Sequence, residues 1–148
     1  MVSFAENIEV DSVEILLRKE LQSAIVEYRK DGIVRVLYKA GCTVTIIDLN
    51  EVAKFISRIG VADKYNILSE ARQGVTMAAD ARLFLATEKG CFFILKNALL
   101  CRFILHEMVS NFFVRIDNPA VPTKIFKDKT KAIEWLLSSS SSSDKIVN

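Results

Sequence analysis

Histidine occurs once in this 148-residue sequence, proline twice, tryptophan once and cysteine three times, and each scarcity removes a class of chemistry. One imidazole, His106, cannot furnish the His-rich coordination shell of catalytic zinc, and no H-E-x-x-H motif is present. Cys42, Cys91 and Cys101 are odd in number and follow one another at separations of 49 and 10 positions, which suits neither a disulfide framework nor paired C-x-x-C knuckles. Reduced, buried thiols are expected, with no metal and no cofactor. Long apolar runs are also missing. The richest stretch, residues 83–105, is broken by Glu88, Lys89, Lys96 and Arg102, so no membrane span is expected. The opening MVSFAENIEVD has no basic patch and carries acids where a secretory leader needs an apolar core, which makes the cytoplasm the expected location. Charge of one sign does not dominate: 20 Lys and Arg against 18 Asp and Glu leave +2, too mild to demand nucleic acid or an anionic membrane as partner.

What is present is apolar: 51% of the residues are hydrophobic, with only five glycines, so regular elements around a packed core are expected over residues 1–137 as a single domain. Residues 1–20 fit either strand alternation, through Ile8, Val10, Val13, Ile15 and Leu17, or a helix. Residues 23–30 and 33–39 read as strands joined at Asp31-Gly32, a hairpin turn that sets Val34, Val36 and Tyr38 opposite Val26 and Tyr28. Residues 41–47 read as a connector with some strand character. Asp48 then precedes Leu49, Val52, Ala53, Ile56 and Ile59 at helical spacing, with Asp48 and Glu51 as the expected capping box and Gly60 as a left-handed end. A strand is expected at 66–70, a turn at Arg72-Gln73-Gly74, and a helix from an N-cap at Thr76 to Gly90. Residues 92–95 and 98–103 are separate strand candidates, the second central because both its faces are apolar. Leu105, Met108, Phe112 and Phe113 lie in an apolar stripe over 104–116 that ends at Asn118-Pro119. A strand at 123–126 and a helix capped by Asp128, with Ala132, Ile133, Leu136 and Leu137 inward, complete the domain. The serine run within residues 138–148 marks that segment as a disordered tail. The order predicts an α/β fold: a mixed sheet with an N-terminal hairpin, followed by alternating helices and strands whose later strands are parallel.

Residues 111–137, NFFVRIDNPAVPTKIFKDKTKAIEWLL, carry an aromatic-rich helix ending in Asn-Pro, a Pro-Thr-Lys-Ile-Phe strand, an acidic cap and Ala-Ile-x-Trp-Leu. This pattern, with Lys30-Asp31-Gly32-Ile33 and Ala81-Arg82 upstream, resembles the SpoIIAA-like bacterial proteins of the STAS and SEC14-like fold group, over about residues 22–137. The resemblance implies the fold, and a regulatory or protein-interaction role without catalysis. Anti-sigma-factor antagonists of that fold carry Asp-Ser-Ser/Thr-Gly with a phosphorylatable hydroxyl. Here the matching region reads Glu70-Ala71-Arg72-Gln73-Gly74-Val75-Thr76-Met77, so that motif is absent. Thr76 then reads first as a helix cap, with modification as the sharper alternative.

Cys101 and His106 suggest a thiolate–imidazole pair, but no acid or amide is placed to orient the ring, and a buried inert thiol is the ordinary account. Asn111 and Arg115 lie one turn apart and read as a solvated face. Lys124, Lys127, Lys129 and Lys131 form the densest basic cluster, interrupted by Asp128 and Glu134, and read as a solvated helix face rather than a nucleic-acid surface. Trp135 reads as a lid over the core edge. Arg72 and Arg82 flank the loop bearing Thr76 and are candidate anion contacts. The stripe through Leu105, Met108, Phe112 and Phe113 has more apolar surface than one sheet face normally covers; it reads either as a fully buried core helix or as a surface for a homodimer, another protein, or the wall of a cavity for a small apolar ligand such as a fatty acid.

Overall fold

Asp31 accepts a hydrogen bond from the Ile33 amide at 3.1 Å through Oδ1, and the turn it stabilises brings strand β2 (Ala24–Arg29) back along β3 (Ile33–Tyr38). Val26 faces Val36, Tyr28 faces Val34 and Ala24 faces Tyr38, a register that leaves three residues, Lys30, Asp31 and Gly32, in the turn, with Gly32 left-handed at φ +87°. The computed structural model describes residues 13–101, 121–138 and 146–147. Before the hairpin, β1 (Ile15–Glu20) runs antiparallel to β2, so the strand alternative holds from residue 15 onward, and residues 1–12 lie outside the described residues.

Beyond β3 come β4 (Thr43–Val44), α1 (Ile46–Ser57), β5 (Tyr65–Ala71), β6 (Thr76–Met77), α2 (Ala79–Leu85), β7 (Ile94–Leu100), β8 (Thr123–Phe126), α3 (Lys129–Leu137) and β9 (Ile146–Val147). The main sheet has the order β1-β2-β3-β5-β7-β8-β9, and β4 pairs with β6 in a separate two-stranded sheet. From β3 to β9 every neighbour is parallel. The chain is therefore an α/β protein built on a mixed sheet, as its pattern of elements implies. Ile146 and Val147, within the segment read as a tail, pair with β8; residues 139–145 and 148 lie outside the described residues. Among the described residues no helix is long and apolar enough to cross a membrane.

Strand residues alternate between faces. Ile67 and Leu99 look toward α1 and α2 in a layer with Val36, Leu49, Val52 and Ile56. Leu68, Ala98 and Leu100 look the other way, against Ala132, Trp135 and Leu136 of α3. β5 and β7 are covered on both sides and are buried along nearly their whole length, the polar Ser69, Glu70, Lys96 and Asn97 included.

Four local expectations are corrected. The cap of α1 is Thr45, not Asp48: the Asp48 amide donates to Thr45 Oγ1 at 3.3 Å, and Asp48 Oδ2 accepts from the Thr45 amide at 2.9 Å. Asp48 thus plays the third-position role expected of Glu51, while Gly60 adopts the anticipated left-handed conformation at φ +73°. Thr76 caps nothing: it lies in β6, the helix starts after Ala78, and α2 ends at Leu85 rather than Gly90. The two strand candidates at 92–95 and 98–103 are one strand, Ile94–Leu100, running through Lys96 and Asn97. Leu137 is exposed rather than inward. The helix expected over 104–116 lies outside the described residues.

Candidate functional site

At the carboxyl ends of β3 and β5 the chain leaves the main sheet by two loops, and open parallel sheets place their recognition surfaces at that end. Here the loops are tied to each other by backbone. The Arg72 amide donates to Tyr38 O at 3.2 Å, Gly41 to Gln73 O at 2.9 Å, Thr76 to Cys42 O at 3.0 Å and Ala78 to Val44 O at 2.9 Å. Gly74 suits this approach: its φ of +81° is one that side chains rarely adopt, and it lies against Gly41. The parallel pairing of β4 with β6 follows, Thr43 beside Thr76 and Val44 beside Met77.

Alternation sorts these pairs. Val44, Val75 and Met77 are buried as the underside, whereas Thr43 and Thr76 face out with their hydroxyls 3.0 Å apart. Arg72, Gln73 and Gly74 are exposed beside them. Arg82, half-buried on α2, donates from Nη1 to Met77 O at 2.7 Å. Arg82 thus braces the loop from below, Arg72 stands on its exposed rim, and Thr76 is an outward strand residue. The three belong to one substructure with different roles. Leu105, Met108, Phe112 and Phe113 lie outside the described residues, as do His106, Asn111 and Arg115.

Cys91 and Cys101 are core atoms, whereas Cys42 is half-buried rather than buried as expected. Cys101 is buried, and desolvation pushes its pKa up to about 11. Burial also raises Cys42 and Cys91, with Asp48 adding repulsion at Cys42, while at Cys91 attraction to Lys64 offsets part of the burial effect and Glu88 adds a smaller repulsion. Thiolate is disfavoured at all three. The basic cluster is divided: Lys129 is buried with Nζ 3.6 Å from Glu70 Oε1, Lys124 lies over the Phe126 ring at 5.4 Å, and Lys127 and Lys131 face out. Trp135 is buried between Phe126, at 5.7 Å, and Lys96 Nζ, at 5.0 Å from its ring.

Two arrangements went unseen in the sequence. Arg35 on β3 bridges Glu27 on β2, at 3.0 Å, and Glu70 on β5, at 2.9 Å through both Nε and Nη2, and Arg18 of β1 reaches Glu27 at 3.6 Å. Burial opposes the Arg35 charge, yet hydrogen bonds and attraction from Glu70 and then Glu27 outweigh it and hold the guanidinium above its ordinary value. The hairpin was a signal, since a turn of Lys30, Asp31 and Gly32 places Glu27 opposite Arg35. On the other face, Ser69 Oγ donates to Asn97 Oδ1 at 3.0 Å in the floor of a cavity of about 40 Å³ walled by Leu49, Met77, Leu85 and Phe93. That is room for about three water molecules and far below the roughly 300 Å³ of a typical ligand site.

Residues 27–140 match the family described as a domain of unknown function, DUF7793. No curated protein and no solved structure matches the chain.

Proposed function

The chain belongs to the DUF7793 family of domains of unknown function, and from the loop platform we propose that it is a cytoplasmic, non-enzymatic regulatory module of SpoIIAA/STAS-like fold that acts by binding another protein. The observation that supports this is the backbone-locked pair of loops, which presents Thr43, Arg72, Gln73 and Thr76 outward from a buried underside of Val44, Val75 and Met77. A surface held this rigidly loses little conformational entropy on binding, so modest contacts suffice. Carriage of a fatty acid is the second reading in kind; it rests on the stripe over 104–116, outside the described residues, and the Ser69–Asn97 cavity of about 40 Å³ is too small to serve in its place.

The test is comparative capture from the native host's lysate with the intact chain and with Arg72→Glu and Thr76→Lys variants. The reading expects a protein retained by the wild type and lost by both variants, whose thermal midpoints stay within a few degrees of wild type because both positions are exposed. Identical captured sets from all three chains, or none, would contradict it.

A further inference from the structure

Strand β1 closes one edge of the main sheet. Residues 16 to 20 are all exposed, Leu16 to 46% and Leu17 to 47%. An open edge carrying leucines needs either a blocking device or a partner, and the phase of its hydrogen bonds specifies which partner fits. Antiparallel ladders alternate between residues that exchange backbone bonds and residues that do not. The Leu21 amide donates to Ala24 O at 2.7 Å and the Lys30 amide to Glu14 O at 2.9 Å. With the irregularity between Ile15 and Leu17, this phase turns the backbone of Leu17 and Lys19 inward to β2. Among the described residues it leaves the N–H and C=O of Arg18 and Glu20 pointing off the sheet.

A second copy meeting this edge antiparallel must set its own Arg18 and Glu20 backbone against these. Centring the two-fold axis on Arg18 opposes arginine to arginine, and centring it on Glu20 opposes glutamate to glutamate. Centring it on Leu17 sets Glu14 against Glu20. Centring it on Lys19 puts each Arg18 opposite the Glu20 of the other copy and each Leu17 opposite Leu21; Lys19 meets itself, a single like-charge contact between exposed side chains set against two Arg–Glu and two Leu–Leu pairs. Cross-strand opposite charges and paired leucines both favour this register.

It also completes a pattern already present. Within one chain Glu70, Arg35, Glu27 and Arg18 alternate in sign across the sheet, and Glu20 holds Lys39 at 2.8 Å. Joined at β1, the series Glu70, Arg35, Glu27, Arg18 runs on into Glu20 and Lys39 of the second copy without a break in alternation. We propose that the free edge of β1 is a self-association surface on which a second copy of this chain pairs antiparallel about Lys19. Five residues a side bury less than the roughly 1,200 Å² of a stable interface, so the dimer is weak. The surface is separate from the loop platform, and its failure would leave that reading intact.

The test is sedimentation equilibrium of the full chain from about 10 to 500 μM, with Arg18→Glu, Glu20→Arg and an equimolar mixture of the two. Reversing one charge in a homodimer turns both Arg–Glu contacts into repulsions, so each single variant should dimerise at least about tenfold more weakly. In the mixture every contact is again between opposite charges, and association should return to near the wild-type level although the Arg18–Glu27 and Glu20–Lys39 pairs remain broken. A wild-type chain that stays monomeric at the top concentration overturns the proposal. So does a dimer indifferent to both reversals, which would place the interface elsewhere. A mixture that fails to recover does so as well, because the variants would then be acting on the hairpin itself.

Discussion

The two faces of the sheet bury different chemistry. Toward α1 and α2 lies a layer of Val36, Ile67, Leu99, Leu49, Val52 and Ile56, in which the Ser69–Asn97 pair is a polar interruption. Toward α3 the apolar patch of Leu68, Ala98, Leu100 and Leu136 adjoins Glu27, Arg35, Glu70 and Lys129. Apolar burial is non-directional and stabilises many arrangements nearly equally, whereas a two-pronged arginine fork satisfies its partners in one register only. The apolar side buries the larger share of the core, and the fork adds a contact across β2, β3 and β5 that only their observed register satisfies.

The contrast can be broken at several points. Ile56→Ala, at a position with 0% exposure, should cost about 3–4 kcal/mol in urea unfolding at unchanged slope, through lost transfer energy plus a cavity. On the charged side, Arg35→Met leaves Glu27 and Glu70 short of a partner and should cost about 2–3 kcal/mol. Glu70→Gln should be comparable, and the double variant should fall short of the summed losses by at least about 1 kcal/mol. Simple additivity would show that the fork specifies nothing. Cys101 sharpens the apolar side: its pKa stands above the ordinary thiol value, so its contribution is complete below pH 9 and declines as pH rises toward 11. Cys101→Val should remove that part of the alkaline slope, and an unchanged slope would mean that the thiol is not desolvated. The smallest effect belongs to Glu20, lowered by its hydrogen bond and attraction to Lys39. A depressed carboxyl stabilises above its unfolded value and loses this as pH falls from 4.5 through the folded value, so the difference between wild type and Glu20→Gln should be present at pH 7 and vanish at the acid end.

The apolar side was largely legible because its information is periodic: alternation gave β2 and β3, helical spacing gave α1, and Asp31-Gly32 marked where the hairpin turns. Where the reading missed, local signals competed or the deciding partner lay far along the chain. Thr45 and Asp48 are both able to cap a helix, and only their reciprocal bonds decide between them. Lys96 and Asn97 looked like a break in β7 because their partners are remote. Lys96 Nζ donates to Trp135 O at 2.7 Å and Ser138 O at 2.8 Å, and Asn97 accepts from Ser69. Thr76 looked like a cap because its strand partner, Thr43, is 33 positions away. The platform was legible only as a list of residues, Arg72, Thr76 and Arg82. Its geometry depends on loop-to-loop backbone bonds that no local pattern announces.

The central claim, that this domain works by presenting the platform to another protein, is tested most directly by hydrogen exchange of the chain alone and in complex with a protein it captures. Amides of residues 72–77 and 41–43 should exchange more slowly in the complex, with α3 and β8 unchanged. Protection confined to other segments, with the platform amides exchanging as in the free chain, would contradict the account.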